Sequence, residues 1–392
     1  MKTILTISYG RHVFDAGNVE RVRMRTCAGV VDALHMIIFS KCSHGCVSVT
    51  DGALHLHPTN AKSSIGMLIR AYCIGSALLR DAGDARHSWI ISAQDPFEAG
   101  LVGYLLSRRY GVPLQVQEHG DFFGAPWWRS ERIFNRIRYV FGRGLVRRAD
   151  CVRTVSKRVT AHLRAQGVDA SRIAEQAVFT DVTAFQSKEV SGTGNRNQRG
   201  GLRALLPDAE VIILGMGRLV QQKDFGLLIR AFAEAATKYP RAHLAIVGSG
   251  PEEQVLTRLV RTLDVSKQVT FMPWTDDVVS LMQSADIFAL ASRYEGWARV
   301  LIEAMAAGVP SVATEVGCVG EVFIDGEHGL VVPVGDMPAY ARALSTLIED
   351  TSLRTRYGAS AARTLNDYAR AQKPYAEAWG ATFSICNGRD AL

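Results

Sequence analysis

The sequence predicts an α/β protein built from two doubly wound parallel-sheet domains that face each other across a cleft, and three observations predict it. Short β-branched or aliphatic runs alternate with longer amphipathic segments, the pattern of βαβ units, and they do so in two separate series. A polar, glycine-rich stretch at residues 187–201 parts the two series; it buries almost nothing and is expected to be a flexible connector. With 392 residues, the chain is long enough for two domains that each enclose a core.

In the first series, strands are expected at residues 4–8, 34–39, 88–91, 114–117 and 151–155, with helical patterns between most of them. Runs at 47–49 and 54–56, separated by Asp51 and Gly52, have the form of an inserted hairpin. The second series places strands at 211–214, 244–247, 269–271, 287–290, 311–313 and 330–332. The expected organisation is therefore an N-terminal domain over 1–186, the connector 187–201, a C-terminal domain over 202–370, and a segment 371–392 that returns to the N-terminal domain. Open parallel sheets bind ligands beyond the carboxyl ends of their strands, so the site is expected in the cleft.

Composition narrows the class. Hydrophobic residues make up 47% and charged residues 21%, which argues against a disordered, collagen-like or coiled-coil chain. No apolar run reaches the ~18 residues of a membrane span, and the opening residues 1–8 lack the ~7 to 15 apolar residues of a secretory core. Seven cysteines spread from Cys27 to Cys386 do not resemble a stapled secreted framework, so a reducing cytoplasm is the expected compartment. The net charge of +7 is unevenly spread: residues 1–190 carry 25 Lys+Arg against 16 Asp+Glu, and the remainder 20 against 22. Residues 127–164 alone hold 11 basic residues against Glu131 and Asp150, which suits either an anionic partner or a solvated arginine face.

The chemistry is most legible in the second series. Its first strand runs into Gly215-Met216-Gly217-Arg218 and on to Lys223; the glycines admit a ligand to the backbone, and two cations five residues apart can converge on neighbouring phosphates. Gly248, Gly250 and Pro251 mark a second strand-to-helix turn, which simple helix capping also explains. A third turn holds Glu295, Gly296, Trp297, Ala298, Arg299 and Val300, followed by a helix that contains Glu303 and stops at Gly308. Two carboxylates flanking an anion-binding helix start suit a ligand with hydroxyls at both ends and phosphates between, as in a nucleotide-sugar. Taken alone, that spacing is better read as a helix cap or a surface ion pair.

Taken together, Glu295-Gly296, Glu303 to Pro310, Glu321 and Gly326 to Pro333, in this order and with Gly215 to Lys223 before them, resemble the C-terminal half of the family 4 retaining glycosyltransferases of GT-B fold, whose two domains are Rossmann-like. The N-terminal half is more loosely similar, through Gly17, Glu118-His119-Gly120-Asp121 and residues 149–156. The resemblance implies a retaining hexosyltransferase that uses a nucleotide-diphosphate sugar, with a hydroxyl of a glycan or lipid-linked molecule as acceptor and no metal or other cofactor. It assigns Arg218 and Lys223 to the leaving diphosphate, Glu303 to the ribose, Glu295 to the transferred sugar, His119 to that sugar from the other domain, and Gly17 to phosphate or acceptor. The base is expected near Phe271 to Trp274, and Gly217, Gly250, Gly296, Trp297, Ala298, Arg299 and Val300 are expected to line the donor site. The chain departs from the family's usual small aromatic and glycine at Trp297 and Ala298, and from its paired glycines at Gly317-Cys318-Val319-Gly320.

Rival readings exist. Cys42, His44, Cys46, His55 and His57 are metal-capable but fit no common zinc spacing, and no metal is expected there. His119 and Asp121 could form a general-base pair for an inverting reaction. A nucleotide-sugar epimerase of related fold, or a non-enzymatic basic protein that binds nucleic acid or another partner, are the alternative classes; no nucleic-acid partner is expected. Finally, Trp127, Trp128 and Arg129 lead into a helical pattern in which Ile133, Ile137, Val140 and Phe141 share a stripe, with Arg132, Arg136 and Arg143 mostly off it. Such a stripe ordinarily packs on its sheet, but paired tryptophans beside a positive field also suit a segment lying on an anionic membrane, which would place the enzyme on the inner face of the cell membrane.

Overall fold

The computed structural model describes residues 2–185 and 201–387. The expected connector lies outside the described residues, except for Gly201. The chain divides into two compact units, one formed by the residues up to Ala177 together with those from Lys373 onward, the other by Val178–Gln372.

The N-terminal unit is an eight-stranded sheet. Its strands are β1 (Thr3–Ser8), β2 (Ala33–Ile38), β3 (Val49–Asp51), β4 (Leu54–Pro58), β5 (Trp89–Ala93), β6 (Leu114–Glu118), β7 (Cys151–Thr154) and β8 (Ile173–Glu175), in the order β3-β4-β2-β1-β5-β6-β7-β8. All neighbours are parallel except β3, which runs antiparallel to β4. The hairpin read from the sequence is thus not an insertion: β4 pairs along the length of β2 and extends the sheet. β8 escaped the sequence reading because three residues carry too little periodicity to stand out.

The C-terminal residues complete this unit. Helix Tyr375–Ala381 packs against helix Val19–Ala28, and Trp379, Phe383 and Cys386 join Ile4, Met24, Cys27 and Leu34 in one buried cluster. Cys386 forms a disulfide with Cys151 of β7 across 235 residues of sequence. Nothing in the cysteine spacing marks this pair, because only the returning C-terminal segment brings the two thiols together.

The second unit is a six-stranded parallel sheet, β9 (Val211–Met216), β10 (Ala242–Val247), β11 (Val269–Met272), β12 (Ile287–Leu290), β13 (Ser311–Thr314) and β14 (Gly329–Val332), ordered β11-β10-β9-β12-β13-β14. β9 and β12 are buried along their whole length, as strands covered on both faces must be. The chain reverses its direction of travel between β9 and β12, and at such a switch point the loops after the two strands splay apart and leave a crevice for a ligand. Among the described residues, no helix is long and apolar enough to cross a membrane.

Candidate functional site

The loops after β9 and β12 meet at the switch point of the second unit. After β9, Gly217 adopts φ +150° and donates its N–H to the Val247 carbonyl at 3.0 Å. Behind it, Gly248 also sits at φ +150°, and a Cβ there would lie 1.9 Å from the Gly217 carbonyl oxygen. A Cβ on Gly250 would come within 2.4 Å of the Leu219 carbonyl. Gly250 is therefore required by the packing of one loop on the other, whatever it offers a ligand. The loop then makes a tight turn over Gln221–Lys223 into Asp224, whose φ of +44° and side-chain cap on the Leu227 N–H start helix Phe225–Ala236.

Three bonds tie this loop to the one after β12. Arg293 Nε donates to Asp224 Oδ2 at 2.8 Å, the Arg293 N–H donates to the Gln222 carbonyl at 2.8 Å, and Gln222 Nε2 donates to the Tyr294 carbonyl at 3.0 Å. Lys223 Nζ is thereby held 2.5 Å from Glu295 Oε1, which also accepts from the Ser292 hydroxyl at 2.8 Å. Both partners of the pair are largely buried. A lysine held this way keeps two N–H vectors for an anion, and Glu295 keeps its second oxygen for a hydroxyl. Arg218 is exposed on the same loop.

Helix Arg299–Ala306 begins beside Glu295. Ala298, its first flanking residue, is held at φ +65° with no side-chain cap, a strained conformation for a residue with a Cβ. The helix start is thus left with uncapped N–H groups. Glu303 lies on the next turn, 3.8 Å from Arg299. Burial raises its pKa, against the opposing charges of Arg299 and Lys223. Gly296 is buried and Val300 half-buried. Trp297 does not line an open surface: it is buried, with its ring 6.4 Å from that of Tyr368, and Gly317 must lack a side chain because a Cβ would fall 2.8 Å from the Trp297 carbonyl. Trp274, in the loop after β11, is exposed.

In the N-terminal unit, Gly17 lies in the exposed loop after β1, its N–H bonded to Asp15 Oδ1. His119 follows β6, and its Nε2 lies 2.8 Å from Gln117 Oε1. That oxygen also accepts from Arg153 Nη1 at 3.0 Å, so it is an acceptor and His119 carries its proton on Nε2, leaving Nδ1 as the open acceptor. Although the ring is accessible to solvent, the surrounding protein and the positive charges of Arg153 and Arg23 hold His119 well below the ordinary imidazole range. Asp121 does not pair with His119; it bonds His162 at 2.7 Å. The general-base pair considered from the sequence is therefore absent, and a weakly basic imidazole suits that role poorly.

Glu118 is buried beneath this loop. Its Oε1 accepts the Phe122 N–H at 2.7 Å while Oε2 has no hydrogen-bond partner among the described residues, and burial, reinforced by the Asp121 charge, pushes its pKa well above the carboxylate range. A carboxyl whose pKa is raised on folding costs stability as pH climbs past its unfolded value, since the unfolded chain loses the proton first. Glu118→Gln is therefore expected to stabilise the protein by about 1 to 2 kcal/mol at pH 8 and to make little difference at pH 4. Urea unfolding at both pH values checks this; an equal effect at the two would remove the protonated-acid reading.

The metal-capable residues are scattered. His44 is bonded through both ring nitrogens, to Arg11 and to the Lys41 N–H, while His55 and His57 stack with His35 on the sheet. Among the described residues, no three His, Cys, Asp or Glu side chains are grouped to hold a metal ion.

The tryptophan pair divides. Trp128 is buried, its ring stacked 5.2 Å from Phe97, so it cannot lie on a membrane; Trp127 is exposed. Arg129 lies over the Tyr139 ring, and Arg132 flanks the start of helix Ile133–Arg148. The apolar stripe of this helix is not packed on the sheet. Asn135, Gly142, Leu145 and Val146 face inward, which turns Ile133, Ile137, Val140 and Phe141 out to solvent together with Phe134.

Sequence reasoning missed Gln117, Arg153, Asp224, Ser292 and Arg293, which hold the expected site residues in place. Arg153 falls within the loosely similar stretch 149–156, and Gln117 left a trace in the alternation of Gln115, Gln117 and His119 along β6 and just past its end.

Residues 203–364 match the family model described as glycosyl transferases group 1, and residues 19–175 match that of a glycosyl transferase 4-like domain. The chain is 36% identical over 154 residues to the lipopolysaccharide core biosynthesis glycosyltransferase LpsE of Rhizobium meliloti (strain 1021), a match covering 39% of this chain and 44% of that protein. It is 27% identical over 306 residues to the alpha-D-kanosaminyltransferase of Streptomyces kanamyceticus, covering 77% and 73% of the two. The crystal structure of Anabaena HepE in complex with UDP and glucose superposes with a TM-score of 0.70 at 20% identity, covering the whole of both chains.

Proposed function

The chain belongs to the group 1 glycosyltransferases of family 4 and has their GT-B fold, and from that membership we propose that it moves a hexose from a nucleotide-diphosphate sugar to a hydroxyl of a glycan or lipid-linked acceptor, with retention at the anomeric carbon and without a metal. The observation that carries the reading is the Lys223–Glu295 pair at the switch point of the second sheet, beside an uncapped helix start.

In this reading Lys223, Arg218 and the N–H groups at the start of helix Arg299–Ala306 face the diphosphate. Each interaction strengthens as the anomeric carbon–oxygen bond breaks and negative charge gathers on the leaving oxygen, which is the condition for catalysis rather than mere binding. Those fixed positive groups supply the charge that a divalent ion supplies elsewhere. Glu295 Oε2 takes a hydroxyl of the transferred sugar, Glu303 takes the ribose hydroxyls, and His119 Nδ1 accepts from a sugar hydroxyl. The acceptor hydroxyl attacks on the face the diphosphate leaves, its new bond to the anomeric carbon forming as the old one breaks, and its proton passes to the departing phosphate oxygen.

Thermal unfolding against a panel of nucleotide-sugars and nucleoside diphosphates tests the donor half. A true donor at about a hundred times its dissociation constant should stabilise by about 2.7 kcal/mol. That gain should survive EDTA and vanish in Lys223→Ala. No stabilisation by any nucleotide-sugar would sink the reading, and a product of inverted anomeric configuration by proton NMR would overturn the mechanism.

A further inference from the structure

None of the residues assigned to sugar transfer lies on the exposed face of helix Ile133–Arg148. Ile133, Phe134, Ile137, Val140 and Phe141 lie on one side of it, each 41 to 71% exposed, with Trp127 of the preceding helix Pro126–Glu131 at 41%. Bulky aliphatic and aromatic side chains gathered so densely are a partner surface rather than scattered surface residues. Beside them, Pro126, Arg129, Ser130, Arg136, Tyr139 and Val140 line a cavity of about 360 Å³ between the two helices. The Arg129 guanidinium is set 4.8 Å above the Tyr139 ring, which fixes its position without neutralising it. Neither Arg129 nor Arg136 has a carboxylate within salt-bridge distance among the described residues, whereas Arg138, on the inward side of the same helix, is paired with Glu98. Arg136 and Arg143 flank the apolar stripe along one edge.

We propose that this face docks on an anionic lipid surface, with the apolar stripe and Trp127 entering the interface and a lipid phosphate seated in the Arg129–Arg136 cavity. Charge complementarity selects this occupant. A second copy of the chain would set one arginine patch against another, and a nucleic acid would leave five aliphatic and aromatic side chains without contact. A lipid monolayer alone offers phosphates and acyl chains side by side at the depth of one helix face. The inference deepens the lipid-linked reading of the acceptor and rests on it for its purpose, but its test involves no sugar transfer, so either can fail without the other.

Sedimentation of the full chain with vesicles decides it. With phosphatidylglycerol mixed into phosphatidylcholine the protein should pellet at low salt, with phosphatidylcholine alone it should not, and salt of about 0.5 M should release it. Arg129→Gln with Arg136→Gln should weaken vesicle binding roughly 25-fold, about fivefold for each charge. Ile137→Ser with Val140→Ser, both at exposed positions, should weaken it by roughly tenfold or more while the melting temperature stays unchanged. Wild-type protein that stays in the supernatant with anionic vesicles overturns the proposal. So does vesicle binding indifferent to the arginine pair, which would leave the cavity without a role. Stabilisation by inorganic phosphate that needs Arg129 and Arg136, without pelleting, would identify a soluble-anion site instead. A dimer that the Ile137 and Val140 variant disperses, without vesicle binding, would identify self-association.

Discussion

Lys223→Ala is expected to lower kcat by about 10² to 10³-fold or more, the loss typical of removing one charge matched to a developing anion. Alanine removes the ammonium and also strands Glu295, which among the described residues then keeps only the Ser292 hydroxyl and, in the proposed donor site, would meet the phosphates as an uncompensated negative charge. Two effects are mixed in that single variant, and the double variant Lys223→Ala with Glu295→Gln separates them. Neutralising Glu295 should recover part of the lost donor affinity by removing the repulsion, while turnover stays low because nothing replaces the cation at the leaving oxygen. Donor affinity by calorimetry and single-turnover rates distinguish the two contributions. Near-normal turnover in Lys223→Ala would show that the ion pair is merely structural, a strut between the loops after β9 and β12.

Gly248→Ala is expected to cost about 3 kcal/mol or more, among the larger single-residue losses, and to abolish donor stabilisation. The added methyl meets the Gly217 carbonyl oxygen at 1.9 Å, and the backbone is held at φ +150°, where residues with a Cβ are disfavoured. Relief would require the loops after β9 and β10 to separate, breaking the bonds from Gly217 to Val247 and from Leu219 to Ser249 that set the path of the Lys223 loop. Gly52→Ala provides the control: it sits at φ +61° in the β3–β4 turn with open space around it, so it should lose only the roughly 1 kcal/mol of left-handed strain. Urea denaturation of the two variants gives the comparison. Equal losses would show that backbone conformation, not the contact between loops, explains the glycine.

The sequence by itself determined the sheet class and where along the second unit the proposed donor-site residues lie. Buried parallel strands must be nearly continuous apolar runs, so β9, β10, β12 and β13 stood out, and the proposed donor-site residues fall in the turns directly after β9 and β12 or early in the helix that follows. Arg218, Lys223, Glu295 and Glu303 were legible for that reason: local order along the chain already places them beside a helix start or a strand end. What the tertiary structure decided is everything that depends on partners far apart in sequence. Asp224 meets Arg293 and Lys223 meets Glu295 only because β9 and β12 are neighbours. Cys151 meets Cys386 only because the last helix returns to the first unit. Periodicity reports that a helix has two faces but not which one a domain turns inward; helix Ile133–Arg148 buries its asparagine, glycine and smaller apolar face and leaves Ile137 and Val140 outside. The same limit applies to Trp127 and Trp128, adjacent residues of one type: on a helix, neighbours point about 100° apart, and burial against Phe97 separates one for the core and one for the surface.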